Sequence, residues 1–234
     1  MYLISIFEKA QGHAPLINSR EEWNSTLFHN WGQTMGQIHA LSKEYKFTKR
    51  KQWNEDIYFT GEYSISIADK KVLDVWNKIV SKLKALPKDK DSYGLIHNDF
   101  HQYNFFINKD NKLTVFDFDD CLYSWFIYDI AIAFYHVVAC VPANELQNQI
   151  NFAWSFIGAF LQGYTKENVI DSYWIEKIPL FLEYRRLCSY MFFVKMWSQE
   201  NIEPWQKEYL ERMKYNIENE IPYIEMDFKI LKEK

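Results

Sequence analysis

Glycine is scarce in this sequence, and its placement excludes whole classes of activity. The seven glycines stand at 12, 32, 36, 61, 94, 158 and 163, and no two of them form a G-x-G step. Neither a dinucleotide-binding fingerprint nor a Walker A loop is present. Cysteine is equally sparse. Cys121, Cys140 and Cys188 are three in number and far apart, which fits neither a disulfide framework nor a zinc pattern. Reduced, buried thiols in a cytoplasmic protein are expected. No apolar run can cross a bilayer, since the longest, Ile130–Val141, is short and broken by His136. The first residues are not a charged-then-apolar run, so no secretion signal is expected from them. A basic excess is missing too: 27 Lys+Arg against 31 Asp+Glu give a net charge of −4, so no nucleic-acid footprint is seen.

What is present in quantity is apolar and aromatic surface. Hydrophobic residues make up 48% of the 234 residues and aromatic ones 18%, enough for a sizeable core and too much for a disordered chain. The spacing sketches the organisation. Tyr2, Ile4 and Ile6 alternate as one face of a strand, which exits through Phe7–Gly12. Ser19-Arg20-Glu21-Glu22 has the form of a capping box. Trp23, Leu27, Trp31, Met35, Ile38 and Leu41 then follow at helical spacing, with Gly32 and Gly36 leaving room for a close neighbour. Lys43–Tyr63 reads as a surface connection, and Val72, Trp76, Ile79 and Leu83 as a second helix closed by Pro87.

From Ser92 the period changes. Leu95-Ile96 is a short strand, and Phe105-Phe106-Ile107 and Leu113–Phe116 flank the polar turn Asn108–Lys112 as a hairpin. After Asp120 the sequence reads as helix throughout. Segments are expected near Asp129–Cys140, Asn144–Gln162, Asp171–Trp197 (with Pro179 in its first third) and Pro204–Glu218. The fold class expected is α+β, mostly α-helical, with one small β element. That element carries the densest cluster of titratable side chains. His39 and His136, each on an apolar helix, read as core histidines. His97 and His101 read as loop supports, because no third nitrogen or sulfur ligand for zinc stands at a useful spacing.

Asp99, Asn104 and Asp117 are hard oxygen donors at strand ends. Mg²⁺ is held by one or two carboxylates together with substrate phosphates. With Asn104 and Asp117 on the metal, Asp99 is free to accept a proton, and these are the parts that phosphoryl transfer requires.

The pattern His97-x-Asp99-x-His101-x-x-Asn104, followed by Asp117-Phe118-Asp119, resembles the aminoglycoside phosphotransferase and choline kinase group of small-molecule kinases. Protein kinases are more distant relatives. The resemblance implies the C-terminal lobe of a protein-kinase-like fold, with Asp99 as catalytic base and Asn104 and Asp117 as Mg²⁺ ligands. His97 and His101 would support the catalytic loop, and Asp129 in Tyr128-Asp129-Ile130-Ala131 would be a structural anchor. It also places Tyr2–Ile6 as the last strand of an N-terminal lobe and residues 1–12 as that strand and hinge. There the backbone around Phe7, Glu8 and Ala10 would bind the adenine of ATP, with 13–234 as the helical lobe. The phosphate-covering loop and the nucleotide-gripping Lys–Glu pair have no counterpart. The sequence thus looks like a kinase without most of its N-terminal lobe, weakly active or inactive by itself. Gln102-Tyr103 departs from the family's Pro-Gly.

The expected activity is ATP- and Mg²⁺-dependent phosphorylation of a hydroxyl on a small molecule. A non-catalytic binding or regulatory remnant and a metal-dependent hydrolase are the alternatives. Asp119 and Asp120 are candidates for the acceptor side. With Glu183 and the aromatic residues after Ala153 they could attract a cationic acceptor. No nucleic-acid or membrane partner is expected, and the exposed edge at Tyr2–Ile6 suggests self-association.

Overall fold

A computed structural model describes residues 8–45, 49–59, 69–142, 145–197 and 202–233. The strand expected over Tyr2–Ile6, and with it the self-association edge, lies outside these residues, as does Phe7. The order of elements is α1 (Ser25–Glu44), α2 (Lys70–Lys84), β1 (Tyr93–Ile96), β2 (Phe105–Ile107), β3 (Leu113–Val115), β4 (Leu122–Trp125), α3 (Phe126–Val138), α4 (Leu146–Tyr164), α5 (Ser172–Ile175), α6 (Ile178–Met196) and α7 (Pro204–Glu218). Two short 3₁₀ turns, Trp53–Glu55 and Phe228–Glu233, complete it. The molecule is α+β and mostly helical, as expected.

The start of α1 differs from the capping-box expectation. Asn24 caps it, its Oδ1 accepting from Thr26 N at 2.9 Å and Leu27 N at 3.3 Å. Residues 19–23 form a turn instead, with Trp23 N bonded to Ser19 O at 2.7 Å. The Glu22 carboxylate reaches past Ser19 to Leu16 N and His13, each at 2.9 Å. Two N-cap residues five positions apart competed, and the asparagine satisfies two orphan N–H groups where the serine would satisfy one. Leu41 is 74% exposed, so the apolar stripe of α1 ends before it. The connection after α1 is not purely superficial either, because Trp53 is buried and its ring lies 5.2 Å from Trp125.

The hairpin β2–β3 forms where expected, with Phe105 opposite Val115 and Ile107 opposite Leu113. β4 was not foreseen. Leu122–Trp125 pairs antiparallel with β1, Ile96 opposite Leu122 and Tyr93 opposite Trp125. A four-residue strand running straight into a helix leaves no local signal. Only its partner, far back in the chain, makes it a strand. The helix expected over Asp171–Trp197 is divided as well. α5 ends at Ile175, and α6 begins so that Pro179 falls in its first turn, where a missing N–H costs nothing.

The core is organised around two features. Trp31 of α1 is fully buried, with ring centroids 4.8 Å from Phe105, 5.8 Å from Phe100, 5.6 Å from Phe156 and 6.1 Å from Phe160. One indole thereby joins α1, the polar loop after β1, the hairpin and α4. α3 lies at the centre, and all its residues except His136 are buried, as an all-round apolar helix must be. The segment after residue 8 joins the hairpin edge. His13 N bonds Ile107 O at 3.1 Å and Ile107 N bonds His13 O at 2.9 Å. No helix among the described residues is long and apolar enough to cross a membrane.

Candidate active site

The loop between β1 and β2 is held from below by a buried chain of hydrogen bonds. Asp129 on α3 is fully buried. Its Oδ2 accepts from His97 N at 2.9 Å and its Oδ1 from Asn98 N at 2.8 Å. His39 Nε2 lies 3.1 Å from Oδ2, and His39 Nδ1 2.9 Å from the Tyr164 hydroxyl. A carboxylate can only accept, so Nε2 carries the proton, Nδ1 accepts from Tyr164 O–H, and Tyr164 accepts from Asn168 Nδ2 at 2.9 Å. His39 is therefore a fully satisfied core histidine. His97 sits above this anchor. Its Nε2–H donates to Phe116 O at 3.0 Å, and its ring lies 4.5 Å from Phe118 and 5.3 Å from Phe100. The loop is tied in this way to the strand end that carries Asp117.

Asp99 emerges from this support half-buried. Its Oδ2 takes His101 Nε2 at 3.1 Å and Asn104 Nδ2 at 3.0 Å, and its Oδ1 takes Arg185 Nη2 at 2.9 Å. Burial pushes its carboxyl up, but the His101 hydrogen bond and the Arg185 charge outweigh that and hold it well below the usual carboxylate range. Asn104 Nδ2 also donates to Asp99 O at 2.8 Å. Both its partners are acceptors, so the amide oxygen must face away from them. Asn104 O accepts from Phe116 N at 3.1 Å, which sets Asn104 beside Asp117. Asn98 and Asp117 have φ of 68° and 65°, a left-handed conformation that non-glycine residues rarely adopt and that clusters at functional sites.

Asp117, Asp119 and Asp120 are exposed. Although its side chain reaches solvent, partial desolvation first, and then the facing charges of Asp99 and Asp117, push the Asp120 carboxyl above the ordinary range. The three acids thus share one electrostatic neighbourhood. Glu183 does not join them. It pairs with Arg186 and accepts from Tyr223 N at 2.9 Å, on a groove it shares with Lys82 and Glu220. At the segment expected to act as a hinge, Glu8 is exposed and Ala10 half-buried, three residues before the bridge that binds His13 to the hairpin.

The donor set suits a hard divalent cation. Among the described residues nothing engages Asn104 Oδ1 or the Asp117 carboxylate, and both are oxygen ligands of the kind Mg²⁺ or Ca²⁺ takes.

A model of the phosphotransferase enzyme family matches residues 4–164. The chain belongs to that family. Among curated proteins, this phosphotransferase is 34% identical to the amicoumacin kinase of Bacillus subtilis (strain 168) over 235 residues, 98% of this chain and 68% of that one. An amicoumacin kinase solved in complex with AMP-PNP, Ca²⁺ and Ami superposes with a TM-score of 0.87 at 32% identity, covering 96% of this chain and 67% of that one. The choline kinase of Streptococcus pneumoniae shares the fold, with a TM-score of 0.56 at 14% identity over 84% of this chain and 66% of that one. The chain thus spans about two thirds of the length of these relatives.

Two residues of the cluster around Asp99 were invisible in the sequence. Arg185 lies in Tyr-Arg-Arg-Leu on α6, where nothing distinguishes it from Arg186. Its neighbour turns the other way, to Glu183 and to Ile221 O at 2.8 Å. His136, expected in the core, is instead the one residue of α3 that is not fully buried. Its ring lies 4.6 Å from His101, and its Nε2 stands 2.9 Å from Arg185 Nη2. The only available signal was that it interrupts an otherwise apolar helix.

Proposed function

We propose that this phosphotransferase transfers the γ-phosphoryl group of ATP to a hydroxyl of a small-molecule acceptor related to amicoumacin. The observation that carries the reading is that one loop and hairpin bear Asp99, Asn104 and Asp117, with Asn104 Nδ2 on Asp99 Oδ2 at 3.0 Å and the His97 and Asn98 amides held from below by Asp129. In a chain 34% identical to a kinase of amicoumacin, this arrangement suits alcohol phosphorylation. Asp99 orients the acceptor hydroxyl and takes its proton. Asn104 Oδ1 and Asp117 would hold Mg²⁺, which when bound neutralises charge on the ATP phosphates. The backbone of residues 7–10 would line the nucleotide's base, and Asp119 and Asp120 would face the acceptor. Residues 13–234 then form the catalytic lobe, and residues 1–12 its connection to the nucleotide side.

Incubation with MgATP and amicoumacin, followed by mass spectrometry, tests this reading. One added phosphoryl group on amicoumacin, lost in Asp99→Asn, is the expected result. A thermal shift with MgATP but no transfer would replace it with a binding role. Phosphate release without acceptor, undiminished in Asp99→Asn, would replace it with hydrolysis.

A further inference from the structure

The side chains around Asp99 constrain its two oxygens differently. Each carboxylate oxygen has about two lone-pair sites. Oδ2 accepts from His101 and from Asn104, so both its sites are used. Among the described residues Oδ1 accepts only from Arg185, so one site remains, beside the guanidinium. His101 is fixed in the tautomer this needs, because Tyr103 N donates to its Nδ1 at 3.2 Å and leaves Nε2 to carry the proton. His136 is fixed in the opposite sense. Arginine can only donate, so His136 Nε2 must offer its lone pair to Arg185 and the ring is neutral with the proton on Nδ1.

His101, His136 and Asp99 bring ligand atoms within 4.8 Å of one another, a donor set that transition metals use. Arg185 Nη2 already lies 2.9 Å from two of the three. The cation for which this cage is built is therefore the guanidinium. Only 15% of its side chain is exposed, and it comes from α6, 86 residues beyond Asp99. Its planar fork lets one nitrogen bridge a carboxylate and an imidazole, which a lysine point charge does less well.

We propose that Arg185, seated on neutral His136, is a positioning residue that selects Oδ1 of Asp99 as the atom receiving the acceptor's proton. The inference rests on the phosphoryl-transfer reading above. The acceptor O–H donates to Oδ1, and that bond breaks as the proton passes to the carboxylate. The acceptor oxygen forms its bond to the γ-phosphorus, and the bond from phosphorus to the β–γ bridging oxygen breaks, so that ADP leaves with the electron pair. A hydroxyl held at Oδ1 is approached from the α6 side, which makes that helix part of the acceptor's seat.

The test uses the full chain with MgATP and amicoumacin, in Arg185→Ala, Arg185→Lys and His136→Leu. In Arg185→Ala, kcat should fall about 100-fold while KM for MgATP stays within about 2-fold, and added guanidinium should restore about 10-fold of the loss. Arg185→Lys should recover little, and His136→Leu should lose about 10-fold in kcat. Native kcat in Arg185→Ala would overturn the proposal. So would a raised KM for amicoumacin at unchanged kcat, which would make Arg185 an acceptor-binding group instead. Nitrogen-15 spectra of the histidine rings at neutral pH give a readout that needs no turnover. His136 should show an unprotonated Nε2 in the native protein and lose that single tautomer in Arg185→Ala. A protonated Nε2 in the native protein would overturn the clamp. A native chain with the expected spectrum but no transfer would support the clamp and remove the kinase reading.

Discussion

At the scale of single residues, Asp129 shows how little tolerance the support of the site has. Fully buried, it accepts from two backbone N–H groups and from His39. Asp129→Asn keeps the shape but turns an N–H₂ toward at least one donor, leaving buried groups unpaired. Denaturant unfolding should show a loss of about 3 kcal/mol at an unchanged m-value. His136 governs a pH effect. Burial first, and then the charge of Arg185, hold it well below its ordinary value of 6.5. Below that value the unfolded chain binds a proton that the folded one does not, so stability falls as pH drops from about 6.5, by up to about 1.4 kcal/mol per unit. His136→Gln should flatten the dependence of the unfolding free energy between pH 7 and pH 5. Asp99, whose folded carboxyl is also lowered, acts in a separate window below about pH 4, because its contribution is lost only as the carboxylate protonates. Much of the site was legible at this scale, since Asp99, Asn104, Asp117 and Asp129 stand in one local pattern. Arg185 and His136 were not, because their roles come from α6 and α3 meeting at the loop, a long-range contact with no trace in spacing.

At the scale of elements, the contact of α1 with α4 is set by glycines. A methyl at Gly32 would stand 1.9 Å from Phe160 O, and one at Gly163 would stand 1.9 Å from His29 O. Backbone meets backbone there, and neither helix can yield without moving Trp31 and the rings around it. Gly163→Ala should lower stability by about 3 kcal/mol. Gly158, on the same helix, would direct a methyl into open space, so Gly158→Ala should raise stability by about 0.5–1 kcal/mol. Thermal midpoints moving in opposite directions would establish that packing, not helix propensity, decides. The spacing of Gly32 and Gly36 announced a close neighbour without saying which helix it was. The helices themselves were legible because an amphipathic stripe of ten or more residues repeats its signal. β4 was hidden because four residues carry too little of one, and the Ser19 box misled because Asn24 offered a better cap downstream.

At the scale of the whole molecule, the segment of residues 8–13 reaches the hairpin through very few bonds. Two backbone hydrogen bonds at 3.1 and 2.9 Å join His13 to Ile107. Gly12 lies immediately before them with φ of +99°, where an added methyl would stand 2.0 Å from Ile107 O. Both the left-handed backbone and the close approach require glycine here. Gly12→Ala should therefore lift the segment from the hairpin edge while leaving the Trp31 core and α3 untouched. Local units of this kind open at far lower free energy than the core. The expected outcome is a thermal midpoint displaced much less than in Gly163→Ala, faster hydrogen exchange at the His13 and Ile107 amides, and MgATP affinity reduced by about 10-fold, or about 1.4 kcal/mol. Unchanged affinity with faster exchange would show that the backbone around Glu8 and Ala10 does not hold the nucleotide. That outcome would move the nucleotide contact from residues 8–10 to the side of Asn104 and Asp117, the pair proposed to hold the metal.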